Sequence, residues 1–191
     1  MAANGSTIFA VLARLALISF LTFLFLAFAA EEGQSQRLPM ELASTAFKNG
    51  EVIPQKYTCE GADVSPALSW AEAPQGTKTL VLIVDDPDAP VGTWVHWVLF
   101  NLPATARALT EAVPKTATAV GGLQGRNDFQ QIGYGGPCPP RGKPHRYFFK
   151  LYALDAVLDL RPGATKRDVE AAMKGHIQAN GELMGTYQRS K

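Results

Sequence analysis

Two of the three histidines in this 191-residue chain, His96 and His145, lie in segments dense with groups that bind or move protons. The first segment is Asp85-Asp86-Pro87-Asp88-Ala89-Pro90, leading into Trp94-Val95-His96-Trp97. The second runs Gly135-Gly136-Pro137-Cys138-Pro139-Pro140-Arg141-Gly142-Lys143-Pro144-His145-Arg146-Tyr147. Imidazoles, a phenol and backbone N–H groups supply the convergent donors that a phosphate monoester or phospholipid head group needs, without a permanent positive charge. A carboxylate at Asp86 would repel an anion that it faced. Its expected task is to accept from a histidine N–H, which fixes the tautomer and raises the readiness of the ring to protonate. Affinity should then strengthen as pH falls toward about 6.5, the ordinary histidine value. Trp94, Cys138 and Arg146 are expected to support these groups from behind, and Asp88 either does the same or merely forms a turn.

Convergence requires strands. Residues 79–84 are a short, continuous apolar run rich in branched side chains, which suits a strand buried on both faces. Residues 94–102 and 145–154 are further strand candidates. Successive side chains of a strand alternate sides, so Trp94, His96 and Val98 should share one face, as should His145 and Tyr147. Strands placed side by side or on adjoining edges would bring both imidazoles and the phenol together. Asp86 follows the end of the buried run, held extended by Pro87. The one helix signal begins at Thr165, where Thr165 and Asp168 have the spacing of a capping box. Val169, Ala172, Met173, His176 and Ile177 would form its buried face, Gly181 would end it, and His176 reads as a hydrogen-bonded wall of the core.

Residues 1–29 carry an apolar run after Arg14 and end in Ala27-Phe28-Ala29, the pattern of a cleaved signal peptide. The alternative is an uncleaved membrane anchor over residues 8–30. A polar tether over 30–37 and a single domain over 38–191 follow, in a periplasmic or secreted protein. With 18 Lys and Arg against 17 Asp and Glu, scattered rather than striped, the chain offers no path for nucleic acid. Export permits a disulfide between Cys59 and Cys138, the other reading being two buried thiols. No zinc-type spacing is present, and neither a metal nor a cofactor is expected.

Taken together, Asp86-Pro87-Asp88-Ala89-Pro90, Trp94 to His96, Gly136-Pro137-Cys138-Pro139-Pro140 and His145-Arg146-Tyr147 resemble the signature segments of the phosphatidylethanolamine-binding proteins, also called Raf kinase inhibitor proteins. Tyr57-Thr58-Cys59-Glu60-Gly61, Val64-Ser65-Pro66 and Tyr152-Ala153-Leu154-Asp155 extend the likeness toward the bacterial and archaeal branch. It covers nearly all of the chain from about Leu42 onward. The resemblance implies a mainly β fold: a large antiparallel sheet packed against a second sheet, with few peripheral helices including a C-terminal one. It also implies a shallow anion pocket formed by Asp86, His96, His145 and Tyr147, with Pro139 and Pro140 as backbone wall.

Binding without catalysis is therefore expected, the partner being a phosphate-containing small molecule or phospholipid head group. A protease or kinase inhibitor or adaptor acting through its surface is the alternative. A hydrolase built on the same cluster is a third reading, but no G-x-S-x-G elbow is present. A metal held by His96, His145 and Asp86 is compatible with the spacing.

Overall fold

The computed structural model describes residues 38–189, so the expected signal peptide over 1–29 and tether over 30–37 lie outside the described residues. The continuous apolar run becomes β4 (Thr79–Asp86), buried along its whole length. It is flanked on one side by β5 (Trp94–Pro103) and on the other by β9 (His145–Leu154), both antiparallel to it. A strand paired on both edges and packed on both faces has no solvent side, which is why its sequence does not alternate.

Around this centre, β1 (Leu38–Pro39), β7 (Thr118–Ala119), β8 (Gly122–Gln124) and β10 (Ile177–Tyr187) complete a seven-stranded sheet in the order β1-β10-β9-β4-β5-β8-β7. The short β1 pairs parallel to β10, and every other neighbour is antiparallel. A second, three-stranded antiparallel sheet joins β2 (Leu42–Ser44), β3 (Leu68–Trp70) and β6 (Ala108–Leu109). Leu68, Trp70 and Leu109 from the small sheet share a core with Leu82, Trp97 and Phe149 of the large one. On the opposite face, Val81, Ile83, Val98 and Phe100 pack with Leu158, Val169 and Met173. The fold is thus mainly β with two packed sheets, as the residues and their resemblance led us to expect.

Helix α1 (Lys166–Ala172) opens with the capping box read from the sequence: Thr165 accepts the Asp168 N–H, and Asp168 accepts the Thr165 N–H. It is shorter than the spacing suggested. Met173 caps it, Gly175 takes φ 85°, and Ile177 already begins β10. Glycine adopts this left-handed conformation without Cβ strain. Pairing of β10 along nearly the whole of β9 then prevails over further helical turns. Gly181 lies inside β10 rather than ending the helix. His176 is exposed, not a wall of the core, and its Nδ1 stands 2.8 Å from Asp155 Oδ1 at the close of the connection from β9.

One irregularity in β5 matters for the site. Val84 pairs with Trp97 but Asp85 pairs with Val95, so His96 is an extra residue in the ladder. A β-bulge of this kind re-aims a side chain. The strict alternation expected for Trp94, His96 and Val98 is broken here: Trp94 and His96 line a recess, whereas Val98 is buried in the core under α1.

Candidate functional site

β4 lies between the two histidine strands, and its last residue brings them together. Asp86 Oδ2 is 2.7 Å from His145 Nδ1, with both side chains almost completely buried. Its other oxygen accepts the Asp88 N–H at 2.8 Å. A carboxylate only accepts, so the shared proton sits on Nδ1 and the remaining ring nitrogen of His145 is Nε2.

His96 is tied to backbone instead. Its Nδ1 donates to the Gly135 carbonyl at 2.7 Å, which again leaves Nε2 unprotonated in the neutral ring. Burial holds the pKa of His96 below its ordinary value, partly offset by the Gly135 carbonyl and the negative charge of Asp86. Gly135 is brought to β5 by its own N–H, which donates to the His96 carbonyl at 2.9 Å.

These groups border a recess of about 200 Å³. Asp86, His96 and His145 supply its polar lining, Cys138, Pro139 and Pro140 one wall, and Ala89, Pro90 and Val91 the rim beside it. Trp94 and Phe129 close it with aromatic surface. Among the described residues, none of those lining the recess is Lys or Arg. Among the described residues no group of three His, Cys, Asp or Glu is placed to hold a metal ion.

Tyr147 does not join the lining. Its ring is fully buried and packs edge-on against His96, with centroids 5.1 Å apart. Its hydroxyl meets no partner in good hydrogen-bond geometry, and burial first, then the charge and carboxylate of nearby Asp86, raise its pKa well above the ordinary phenol value. Trp94, expected behind the pocket, is part of its surface, and its shielded Nε1 is likewise without a partner. Asp88 and Arg146 stand outside: Arg146 donates to both Asp88 oxygens at 2.7 and 2.8 Å, and the exposed guanidinium does not line the recess.

Cys138 is bonded to Cys59, with their Cα atoms 5.4 Å apart. The Cys59 N–H also donates to the Pro137 carbonyl at 3.1 Å. Tyr134 adds a third tie through its hydroxyl, 2.8 Å from the Tyr57 carbonyl. The proline wall is therefore fastened to the segment around the 3-10 turn Gln55–Tyr57.

The residues that sequence reasoning missed come from turns. Phe129 lies in a turn clamped to β5 by Asp128, whose Oδ2 accepts the Val95 N–H at 2.7 Å. Its ring meets Trp94 and His96 edge-on, at 5.4 and 5.3 Å. Only the adjacent Asn127-Asp128 pair, a common turn signal, marks that segment.

Comparison with known proteins agrees with this architecture. Residues 43–188 match the family model described as phosphatidylethanolamine-binding protein. A UPF0098 protein from Aquifex aeolicus is 53% identical over 152 residues, covering 78% of this chain and 89% of its own. One from Pyrococcus abyssi is 48% identical over 177 residues, covering 91% and 98%. Among solved structures, a phosphatidylethanolamine-binding protein homologue from Chlamydia trachomatis superimposes with a TM-score of 0.73 at 44% identity, over 80% of this chain and 99% of its own. YbcL of E. coli, described as a new member of the mammalian family, gives 0.74 at 34% identity, over 79% and 99%. The chain belongs to the phosphatidylethanolamine-binding protein family.

Proposed function

We propose that the protein binds a phosphate-type anion, free or as a phospholipid head group, in the recess between Asp86, His96 and His145. The observation that carries this reading is the pair of imidazoles whose Nδ1 positions are both committed, one to Asp86 and one to the Gly135 carbonyl. Each ring keeps Nε2 for a ligand. A neutral Nε2 accepts a hydrogen bond, and a protonated one donates to an oxyanion. Among the described residues none on the lining is Lys or Arg, and in this reading a proton taken up by imidazole supplies the countercharge. A recess of about 200 Å³ takes a head group and leaves acyl chains outside.

Binding without turnover is part of this reading. Among the described residues, the sulfur on the lining belongs to Cys138, which is bonded to Cys59 and has no thiolate to attack with. Export fits the apolar leader pattern and the disulfide, a bond that persists in oxidising compartments. Fractionation of cells and sizing of the accumulated chain test that part directly.

Calorimetric titration with phosphoethanolamine tests the function. Binding that strengthens as pH is lowered and is lost in His96→Ala supports it. Absence of binding, or binding that ignores pH and survives His96→Ala, contradicts it.

A further inference from the structure

The proton on His96 Nδ1 has a second carboxylate behind it, reached through backbone. The carbonyl of Gly135 and the N–H of Gly136 belong to one peptide unit. The carbonyl accepts from His96 Nδ1 at 2.7 Å, and the N–H donates to Asp63 Oδ1 at 2.6 Å. On its other oxygen Asp63 meets Lys115 Nζ at 2.7 Å. A line of contacts thus runs from Lys115 through Asp63 and one peptide to the imidazole.

The fit around that peptide is close. A Cβ on Gly136 would lie 2.7 Å from Asp63 Oδ1 and 2.3 Å from the Tyr57 carbonyl oxygen, so only glycine admits this approach. Asp63 itself takes φ 53°, a left-handed conformation that Asp tolerates better than most residues.

We propose that Asp63 is a positioning residue for His96, acting through the peptide between Gly135 and Gly136 to hold the Nδ1–H tautomer and favour proton uptake at Nε2. A negative charge at the peptide N–H polarises the unit, makes its oxygen a stronger acceptor and stabilises the imidazolium it touches. The two pocket histidines are then both backed by carboxylates, His145 directly by Asp86 and His96 at one peptide's remove by Asp63. Asp86, Asp128, Tyr147 and His145 also face His96, and none of them is altered by substitution at Asp63 or Lys115. The importance of this contact for affinity rests on the anion-binding reading above, whereas its effect on the ring does not.

The test is a ligand-free NMR titration of the imidazole nitrogens in the full-length, 15N-labelled protein. Asp63→Asn keeps an amide oxygen for the Gly136 N–H and removes the charge. Lys115→Met removes the cation that partly neutralises Asp63. The His96 midpoint should fall in Asp63→Asn and rise in Lys115→Met, each by on the order of half a pH unit, with His145 unmoved. A merely structural role for Asp63 gives no opposite pair of shifts. His96 midpoints that stay put, move in the same direction or are matched by His145 overturn the proposal. Should Asp63→Asn fail to fold, Lys115→Met decides alone: a midpoint that does not rise overturns it. Opposite shifts in a protein that takes up no phosphoethanolamine support the relay and overturn the anion reading instead.

Discussion

Asp86 and His145 form the one direct carboxylate–imidazole pair of the recess, 2.7 Å apart and nearly sealed from solvent. Asp86 ends β4 and His145 begins β9, so the contact joins the ends of two neighbouring strands just where the ladder between them runs out. Replacing Asp86 by Ala leaves the buried His145 Nδ1–H and the part-buried Asp88 N–H without their acceptor. The expected cost is roughly 1–3 kcal/mol of stability, measurable by urea denaturation. Asp86→Asn should be milder in stability and should weaken the pH dependence of ligand binding, because the amide no longer stabilises an imidazolium.

His96 makes the fold sensitive to acid. Its pKa is lowered in the folded protein, so below about pH 6.5 the unfolded chain binds more protons than the native one. Stability owed to the neutral ring is fully present above that value and is lost as pH falls through the folded-state pKa. Differential scanning calorimetry should show a Tm that declines on acidification less steeply in His96→Gln than in the parent protein. Equal slopes would remove His96 as the source.

Asp88 titrates separately. Arg146 holds its carboxyl down from 3.8 to about 2, mainly through the side-chain hydrogen bond. The contribution of the pair is present above the ordinary carboxylate value and disappears as pH falls toward about 2. In Arg146→Ala the carboxyl should titrate near its ordinary value by carbon-detected NMR, while ligand affinity stays close to that of the parent because neither residue lines the recess.

The disulfide holds the proline wall from behind. It spans 79 residues, so its removal frees a long loop in the unfolded chain, and Cys59→Ser with Cys138→Ser should cost roughly 2–5 kcal/mol. Denaturation under oxidising and reducing conditions checks this. A stability difference between the two conditions should be seen in the parent protein and vanish in the double variant.

Much of the fold was legible because it is written in local patterns. The apolar run of β4, the alternation of β9 and the capping box at Thr165 each reflect one element's own burial or termini. What escaped depends on tertiary pairing. The extra residue at His96 appears only when β5 is laid against β4, and nothing in the spacing of Trp94, His96 and Val98 announces it. The end of α1 at Ala172 is set by Gly175 and by the pull of β9 on the following strand, which outweighed the helical period running on to Ile177. Of the residues lining the recess, Asp86, His96 and His145 are singled out by residue type and Pro139 and Pro140 through the family resemblance, whereas Tyr147 packs behind His96 and Phe129 lies on the lining. The carbonyl that holds His96 carries no side-chain signature at all.

Proton uptake is the most direct measure of whether the imidazoles serve as the anion's countercharge. Glycerophosphoethanolamine is a suitable probe, because its phosphodiester is already fully ionised and does not change protonation near neutral pH, so any proton taken up must go to the protein. Calorimetry at one pH in two buffers of different ionisation heat should give apparent enthalpies that differ in the sense of proton uptake. Enthalpies that are the same in both buffers, with binding retained, would contradict it.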